Sequence, residues 1–346
     1  MSKNKNLQNA KDTKNDEFYT PLSAIKEEID AYYEYDKNVF KDKVVYLNCD
    51  NPYESNFFKY FILNFNRFGL KQLIATNYSG DKLVGTLNPL FDEPDETNKK
   101  NIAHKVIINE VIENNYDLNS LLNNPKNIYG TLKGDDVYPA GDFRSNECEK
   151  LLQESDIIIS NPPFSLFREY IDLIIKHNKK FIVLGSQIAI SYKNVFIYFM
   201  KNQLWFGKNY AIKVSFYTPN NKEKAIAITW YTNLLRFKQP KKIKLKSIEE
   251  NLIYKEKYPD LYKEYDNFYA IEVPRIKLIP NDYNGVIGAP ITFLYFYNQN
   301  QFEILSLDRY VSDFGYSFLK KPGKKSGSCK INGKELFARI FIKLKK

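Results

Sequence analysis

The chain has 346 residues, 43% of them hydrophobic and 27% charged, the balance of a globular protein with room for one large domain or two ordinary ones. Three scattered cysteines and only two histidines, His104 and His177, exclude a disulfide scaffold and a Cys/His zinc site, so no metal is expected. No apolar run nears the roughly 20 residues of a membrane span, and the polar opening MSKNKNLQNAKDTKND does not read as a signal peptide, so a reducing cytoplasm is expected.

The net charge of +10 is unevenly placed. Residues 1–235 hold 29 Lys+Arg against 29 Asp+Glu, whereas residues 236–346 hold 22 against 12. A basic excess confined to one end suits a polyanion-binding module; a solvated lysine-rich surface is the plain alternative.

In chain order, residues 1–16 read as a disordered start. A helix is expected from Leu22 to Tyr35, with Thr20 as its N-cap and Pro21 at its first position. Val44–Asn48 is a short buried strand. Ser55 caps a helix that runs to Phe68 and stops at Gly69. Gln72–Thr76 is a second strand, so strand, loop, helix and strand open a doubly wound, mostly parallel α/β sheet. Residues 79–140 read as an irregular insertion. Order resumes at Gly141-Asp142-Phe143, followed by a helix from about Glu147 and the strand Ile157–Ser160. After Asn161–Phe164, the residues Leu166, Phe167, Tyr170, Ile171, Ile174 and Ile175 recur at helical spacing. Phe181–Leu184 is a further strand. Lys213–Tyr217 and Ala225–Tyr231 flank Pro219-Asn220-Asn221 as a terminal antiparallel hairpin. Near residue 240 the texture changes. RFKQPKKIKLK (236–246) carries six basic residues, and KKPGKKSGSCK (320–330) is a basic, glycine-containing loop. A domain boundary is placed there.

Asn161-Pro162-Pro163-Phe164 follows a buried strand directly, which puts it at the carboxyl edge of the sheet, where open α/β folds place their ligands. The residue types fit chemistry on an exocyclic amine. Such a nitrogen is a poor nucleophile because its lone pair is delocalised into the ring. It improves when acceptors hold its N–H groups in a tetrahedral arrangement. The Asn161 side-chain oxygen and the Pro162 carbonyl are candidate acceptors. The prolines stiffen the turn and remove donors from it. Phe164 is placed to stack on a base swung out of a duplex. A plain strand-to-helix turn is the alternative, since Asn-Pro is ordinary turn chemistry.

Taken in order, Asp16-Glu17-Phe18-Tyr19-Thr20-Pro21, Asn48-Cys49-Asp50-Asn51-Pro52, Gly141-Asp142-Phe143, Asn161-Pro162-Pro163-Phe164 and Trp230-Tyr231-Thr232-Asn233-Leu234 resemble the adenine-specific DNA methyltransferases of the EcoRI modification type. The resemblance covers most of residues 16–235. It implies a class I methyltransferase fold over residues 17–240 and a DNA target-recognition region over 241–346. It also implies S-adenosyl-L-methionine as cofactor and transfer of a methyl group to N6 of a flipped-out adenine in double-stranded DNA. A cognate restriction endonuclease acting separately is a possible partner on this reading. By the same resemblance, Phe18, Tyr19 and Thr20 pack on the cofactor pocket, Asn48, Cys49 and Asp50 curve around its methionine part, and Asp142 and Phe143 sit by its adenine ring. Trp230 or Tyr231 leans on the target base. Lys241, Lys242, Lys324 and Lys325 are the candidates for DNA contact.

The chain departs from the pattern at two places. Asn48–Tyr53 lacks the glycine-rich loop, and the second strand ends in Thr76-Asn77-Tyr78 with no carboxylate for the ribose hydroxyls, leaving Asn77 as a neutral substitute. Other readings stay open on sequence alone. One is a methyltransferase acting on cytosine N4, RNA adenine or protein glutamine, which share the Pro-Pro-aromatic turn. Another is a catalytically inactive DNA-binding protein of the same fold. No Pro-Cys pair is present, which excludes covalent cytosine-C5 chemistry.

Overall fold

A computed structural model of the chain describes residues 20–53, 55–78, 103–112, 118–209, 212–217, 223–235 and 240–345, with the backbone alone at 118, 212–217 and 223–226. The expected start, with Phe18 and Tyr19, lies outside the described residues. Two compact units account for the chain: Met1–Ala189 with Lys201–Arg236, and Ile190–Met200 with Phe237–Lys346.

The first unit is α/β, built on one mixed sheet. Its strands are β1 (Val44–Leu47), β2 (Gln72–Thr76), β3 (His104–Ile108), β4 (Ile128–Thr131), β5 (Ile157–Ser160), β6 (Lys180–Ser186), β7 (Trp205–Phe206), β8 (Ile212–Tyr217) and β9 (Glu223–Thr232). They lie in the order β4-β3-β2-β1-β5-β6-β9-β7, with β8 also paired to β9. β2, β1, β5 and β6 are mutually parallel. All other pairings are antiparallel, so the sheet has a parallel centre with antiparallel flanks rather than being mostly parallel. β1 and β5 are buried at every position. That is why Val44–Leu47 and Ile157–Ile159 are unbroken apolar runs and not alternating ones.

The local signals act as their chemistry dictates. The Ser55 hydroxyl accepts from the Phe57 and Phe58 amides at 3.0 and 3.3 Å and starts the helix Asn56–Leu63. Asn64 interrupts that helix, a second short one spans Phe65–Phe68, and Gly69 ends it at φ +63°, a conformation a side chain would disfavour. Ser145 caps the helix Asn146–Glu154.

Three expectations need correction. The N-cap of Leu22–Tyr35 is Pro21, not Thr20, because the Pro21 carbonyl takes the first helical bonds, from Ala24 and Ile25. The span 79–140, read as irregular, contains β3, β4 and the helix Leu118–Leu122; β3 alternates buried and half-buried residues, as an antiparallel flank does, and is too short to stand out. Residues 190–200, read as part of the first domain, belong to the second unit. There the helix Lys193–Met200 sets Phe196 against Phe314 and Phe199 against Tyr297, with ring centroids 5.7 and 6.2 Å apart.

The second unit contains a four-stranded sheet of β10 (Ile271–Glu272), β11 (Ile287–Pro290), β15 (Arg339–Leu344) and β12 (Phe302–Leu307), in that order, and a small hairpin of β13 (Lys330–Ile331) and β14 (Lys334–Glu335). Its core gathers Tyr265, Phe268, Val311, Cys329 and Phe341. Inside it Arg339 grips Glu272 with two hydrogen bonds of 2.8 Å, a bidentate geometry that compensates the burial of both charges.

Candidate active site

Because β1, β2 and β5 are parallel neighbours, their carboxyl ends open at one edge of the sheet. Three loops leave from that edge: Asn48–Tyr53 after β1, Asn77 and Tyr78 after β2, and Asn161–Phe164 after β5. A fourth segment is pinned beside them. Gly141 has φ +77°, and a Cβ there would stand 1.9 Å from the Asn77 carbonyl oxygen. Only glycine permits that approach, and it brings Asp142 and Phe143 up to the end of β2.

Asp50 joins these loops. Its backbone N–H donates to the Thr76 carbonyl at 3.1 Å. Its carboxylate accepts from the Ser55 hydroxyl and from the Ser160 hydroxyl, each at 2.8 Å. Ser160 is the residue immediately before Asn161. One buried acidic group thus ties the loop after β1, the start of the following helix and the root of the Asn161 turn. Beyond that turn, Pro162 is buried and Asn161, Pro163 and Phe164 are half-buried. The Leu166 amide bonds back to the Pro163 carbonyl at 3.0 Å, forming the 3-10 turn Phe164–Leu166 that leads into the helix Phe167–Lys176.

On that helix, Tyr170 donates its hydroxyl to Asn48 Oδ1, and its ring meets Phe143 edge-on at 5.1 Å and 78°. Asn48 Nδ2 and the Tyr53 hydroxyl are buried with no hydrogen-bond partner among the described residues. Orphaned buried polar atoms cost stability unless something supplies a partner. Two of them in one loop make the edge fit a polar ligand. Cys49 is half-buried. Phe143 is buried, and Asp142, also buried, is held on both oxygens by Arg144 at 2.8–2.9 Å. The Arg144 guanidinium in turn lies 4.7 Å from the centre of the Tyr138 ring. Thr20 is buried, and its carbonyl accepts from Asn56 Nδ2 at 2.8 Å.

Comparison with known proteins gives the family of the chain. The family model described as "Adenine-specific methyltransferase EcoRI" matches residues 6–345. The chain belongs to that family. It is 37% identical to the Type II methyltransferase M.EcoRI of Escherichia coli, over 99% of this chain and 97% of the relative. It is 33% identical to the Type II methyltransferase M.MgeORF184P of Mycoplasma genitalium, over 96% of this chain and 97% of the relative. It is also 33% identical to the Type II methyltransferase M.MpnI of Mycoplasma pneumoniae, over 86% of this chain and 83% of that one. No solved structure matches the chain. The protein is an adenine-specific DNA methyltransferase of the restriction-modification type.

Within this methyltransferase, Asn77 Oδ1 accepts from the His104 amide at 2.7 Å, a bond across the junction of β2 and β3. One expected role does not fit the geometry. Trp230 and Tyr231 are both fully buried, so neither ring leans on a target base. Trp230 packs on Phe57 at 5.9 Å, and Tyr231 packs on Phe167 at 5.1 Å while donating to the Ser186 carbonyl at 3.0 Å. The alternation of a strand put one of the pair in the core. The other, Tyr231, is covered by the rings of Phe167 and Phe206. Lys241, Lys242, Lys324 and Lys325 are exposed in the second unit. Sequence reading missed Tyr170 and Ser160 as members of the site. The available signal for Tyr170 was a lone hydroxyl in an apolar stripe.

Proposed function

We propose that the carboxyl edge of β1, β2 and β5 binds S-adenosyl-L-methionine and methylates N6 of an adenine swung out of double-stranded DNA. The observation that carries this reading is the convergence of Asn48–Tyr53, Asp142-Phe143 and Asn161–Phe164 at that edge, with Asp50 bonded to Ser160 and two orphaned polar atoms beside it. A parallel centre closed by the antiparallel β9 also suits a class I methyltransferase fold.

The residues that would hold the cofactor are Thr20, Asn48, Cys49, Asp50, Asp142 and Phe143, joined by Phe18 and Tyr19 from the preceding segment. When bound, the cofactor supplies an electrophilic methyl group. The protein's own work is positioning and electrostatics. The Asn161 side-chain oxygen and the Pro162 carbonyl accept from the two N–H groups of the target amine, drawing its lone pair out of the ring toward the methyl carbon. Pro162 and Pro163 offer no competing N–H. Phe164 stacks on the extruded base, which offsets part of the cost of unstacking it. The surplus proton on the methylated nitrogen leaves to water.

The second unit is the target-recognition region in this reading. It holds the whole charge excess, and the exposed Lys241, Lys242, Lys324 and Lys325 meet phosphates there. Among the described residues no helix is long and apolar enough to cross a membrane. Such an enzyme works where the genome is, in the cytoplasm, with a cognate restriction endonuclease acting separately.

Single-molecule sequencing of genomic DNA from cells expressing the chain tests the reaction. N6-methyladenine in one recurring sequence context is the expected result. N4-methylcytosine, or unmodified DNA from a folded protein, would overturn it. For the cofactor, S-adenosyl-L-methionine should raise the melting temperature by mass action, whereas NAD and ATP should not.

A further inference from the structure

Tyr170 and Asn48 lie 122 residues apart, yet the tyrosine hydroxyl donates to Asn48 Oδ1 with both side chains buried. Tyr170 stands on the inward face of its helix with Phe167, Ile171 and Ile174. A phenylalanine would fill that face equally well, so packing alone does not call for the hydroxyl. Burying a phenol is unfavourable unless its hydroxyl finds a partner, and the partner here is a carboxamide whose other end, Nδ2, is buried and unpartnered. An asparagine side chain has an acceptor end and a donor end. A hydroxyl directed at Oδ1 decides which end is turned to the site. Phe143, edge-on to the Tyr170 ring, limits where that hydroxyl can move.

We propose that Tyr170 is a positioning residue of the cofactor pocket: it orients the Asn48 carboxamide so that Nδ2 donates to the carboxylate of the cofactor's amino-acid portion. The inference rests on the cofactor reading above. Nδ2 is a donor only, so its ligand must be an acceptor. Of the acceptors on such a cofactor, the carboxylate is the strongest and has most need of donors on leaving water. The acidic neighbour Asp50 does not compete, because its oxygens already take the Ser55 and Ser160 hydroxyls.

The test uses the full chain and two probes that differ in one group. S-adenosylhomocysteine carries the amino-acid end, and 5′-methylthioadenosine lacks it. Titration calorimetry on the wild type, Tyr170→Phe, Asn48→Ala and the double variant reads both. Tyr170→Phe should weaken S-adenosylhomocysteine by roughly tenfold, about one hydrogen bond, and should leave 5′-methylthioadenosine within about twofold. Asn48→Ala should weaken S-adenosylhomocysteine, and adding Tyr170→Phe to it should change nothing more, because the two act as one unit. Equal losses for both probes, no loss for either, or additive losses in the double variant would overturn the proposal. If Tyr170→Phe does not fold, Asn48→Ala with the same two probes decides. A wild type that binds S-adenosylhomocysteine while every variant binds it as the wild type does sinks this inference alone. A wild type that binds neither probe sinks the cofactor reading with it.

Discussion

The Ser160 hydroxyl donates to Asp50 Oδ2 at 2.8 Å, so the last residue of β5 is bonded to the loop that follows β1. The bond is buried and its acceptor is acidic, which places it among the stronger hydrogen bonds of the fold. Ser160→Ala leaves the carboxylate with the Ser55 hydroxyl but without this donor. Stability should fall by about 1.5–3 kcal/mol in urea unfolding. Because Ser160 adjoins Asn161, turnover of the folded variant should fall further than its affinity for DNA. A variant as stable and as active as the wild type would show that this bond does not hold the turn.

Glu28 gives a pH dependence with a definite sign. Its side chain is fully buried on the helix Leu22–Tyr35 and accepts from the backbone amides of Lys208 and Asn209 at 2.9 and 2.8 Å. Burial pushes its pKa from 4.5 up to about 7, with those amide donors opposing the rise. Between these values the folded chain keeps a proton that the unfolded chain releases. The stabilising contribution is therefore complete below the unfolded value and is lost as pH rises through about 7. Unfolding free energy should lose roughly 2–3 kcal/mol to this group between pH 5 and pH 8. Glu28→Gln should flatten that part of the profile, and an unchanged slope would assign the dependence to other groups.

Trp230 makes a different kind of test. Its indole is fully buried against Phe57. Trp230→Ala should cost about 3–5 kcal/mol of stability. Trp230→Phe, if it folds, should methylate DNA at a near-normal rate. A Trp230→Phe enzyme that folds well and cannot flip its base would restore the role its geometry denies it.

The sequence announced the centre of the sheet better than its flanks. Val44–Leu47, Ile157–Ile159 and Phe181–Leu184 are apolar runs because both of their faces are covered, and helix caps such as Ser55 and Gly69 act through local chemistry that any reader of the sequence can apply. β3 and β4 were hidden because short antiparallel flank strands such as His104–Ile108 alternate in burial, and the pairing of β3 with β2 and of β4 with β3 is a long-range choice. In the site, the turn residues Asn161–Phe164 stood out by composition. The bonds that hold the turn did not, since Asp50 and Ser160 are 110 residues apart and only the register of β1 beside β5 brings them together. Trp230 and Tyr231 were misread for a related reason: strand alternation says that two neighbours face opposite ways, not that one of those ways is open.

The lysines of the second unit should reveal themselves through salt. Lys241, Lys242, Lys324 and Lys325 are exposed, and neutralising a phosphate releases counterions. Each alanine substitution that removes a phosphate contact should lower the slope of log affinity against log salt by about 0.9. Calorimetric affinity for S-adenosylhomocysteine should not change. Variants with the wild-type slope would show that the DNA passes over another surface.

Asn161 and Phe164 separate chemistry from binding. Asn161→Ala removes an acceptor for the target amine and touches nothing that a phosphate needs. Loss of one such preorganised group in a water-poor site costs about 2.7–4 kcal/mol, or roughly 100- to 1,000-fold in rate. Turnover should fall by at least that factor, and DNA affinity should change by less than about tenfold. Phe164→Ala should behave differently, because stacking on an extruded base is worth about 1–3 kcal/mol. It should lower the population of the flipped state, and with it both turnover and the fluorescence rise of a 2-aminopurine placed at the target. Single-turnover rates and 2-aminopurine titrations on the same preparations distinguish the two. If Asn161→Ala transfers methyl groups at a near-normal rate, Asn161–Phe164 is a strand-to-helix turn and the chemistry lies elsewhere on the edge.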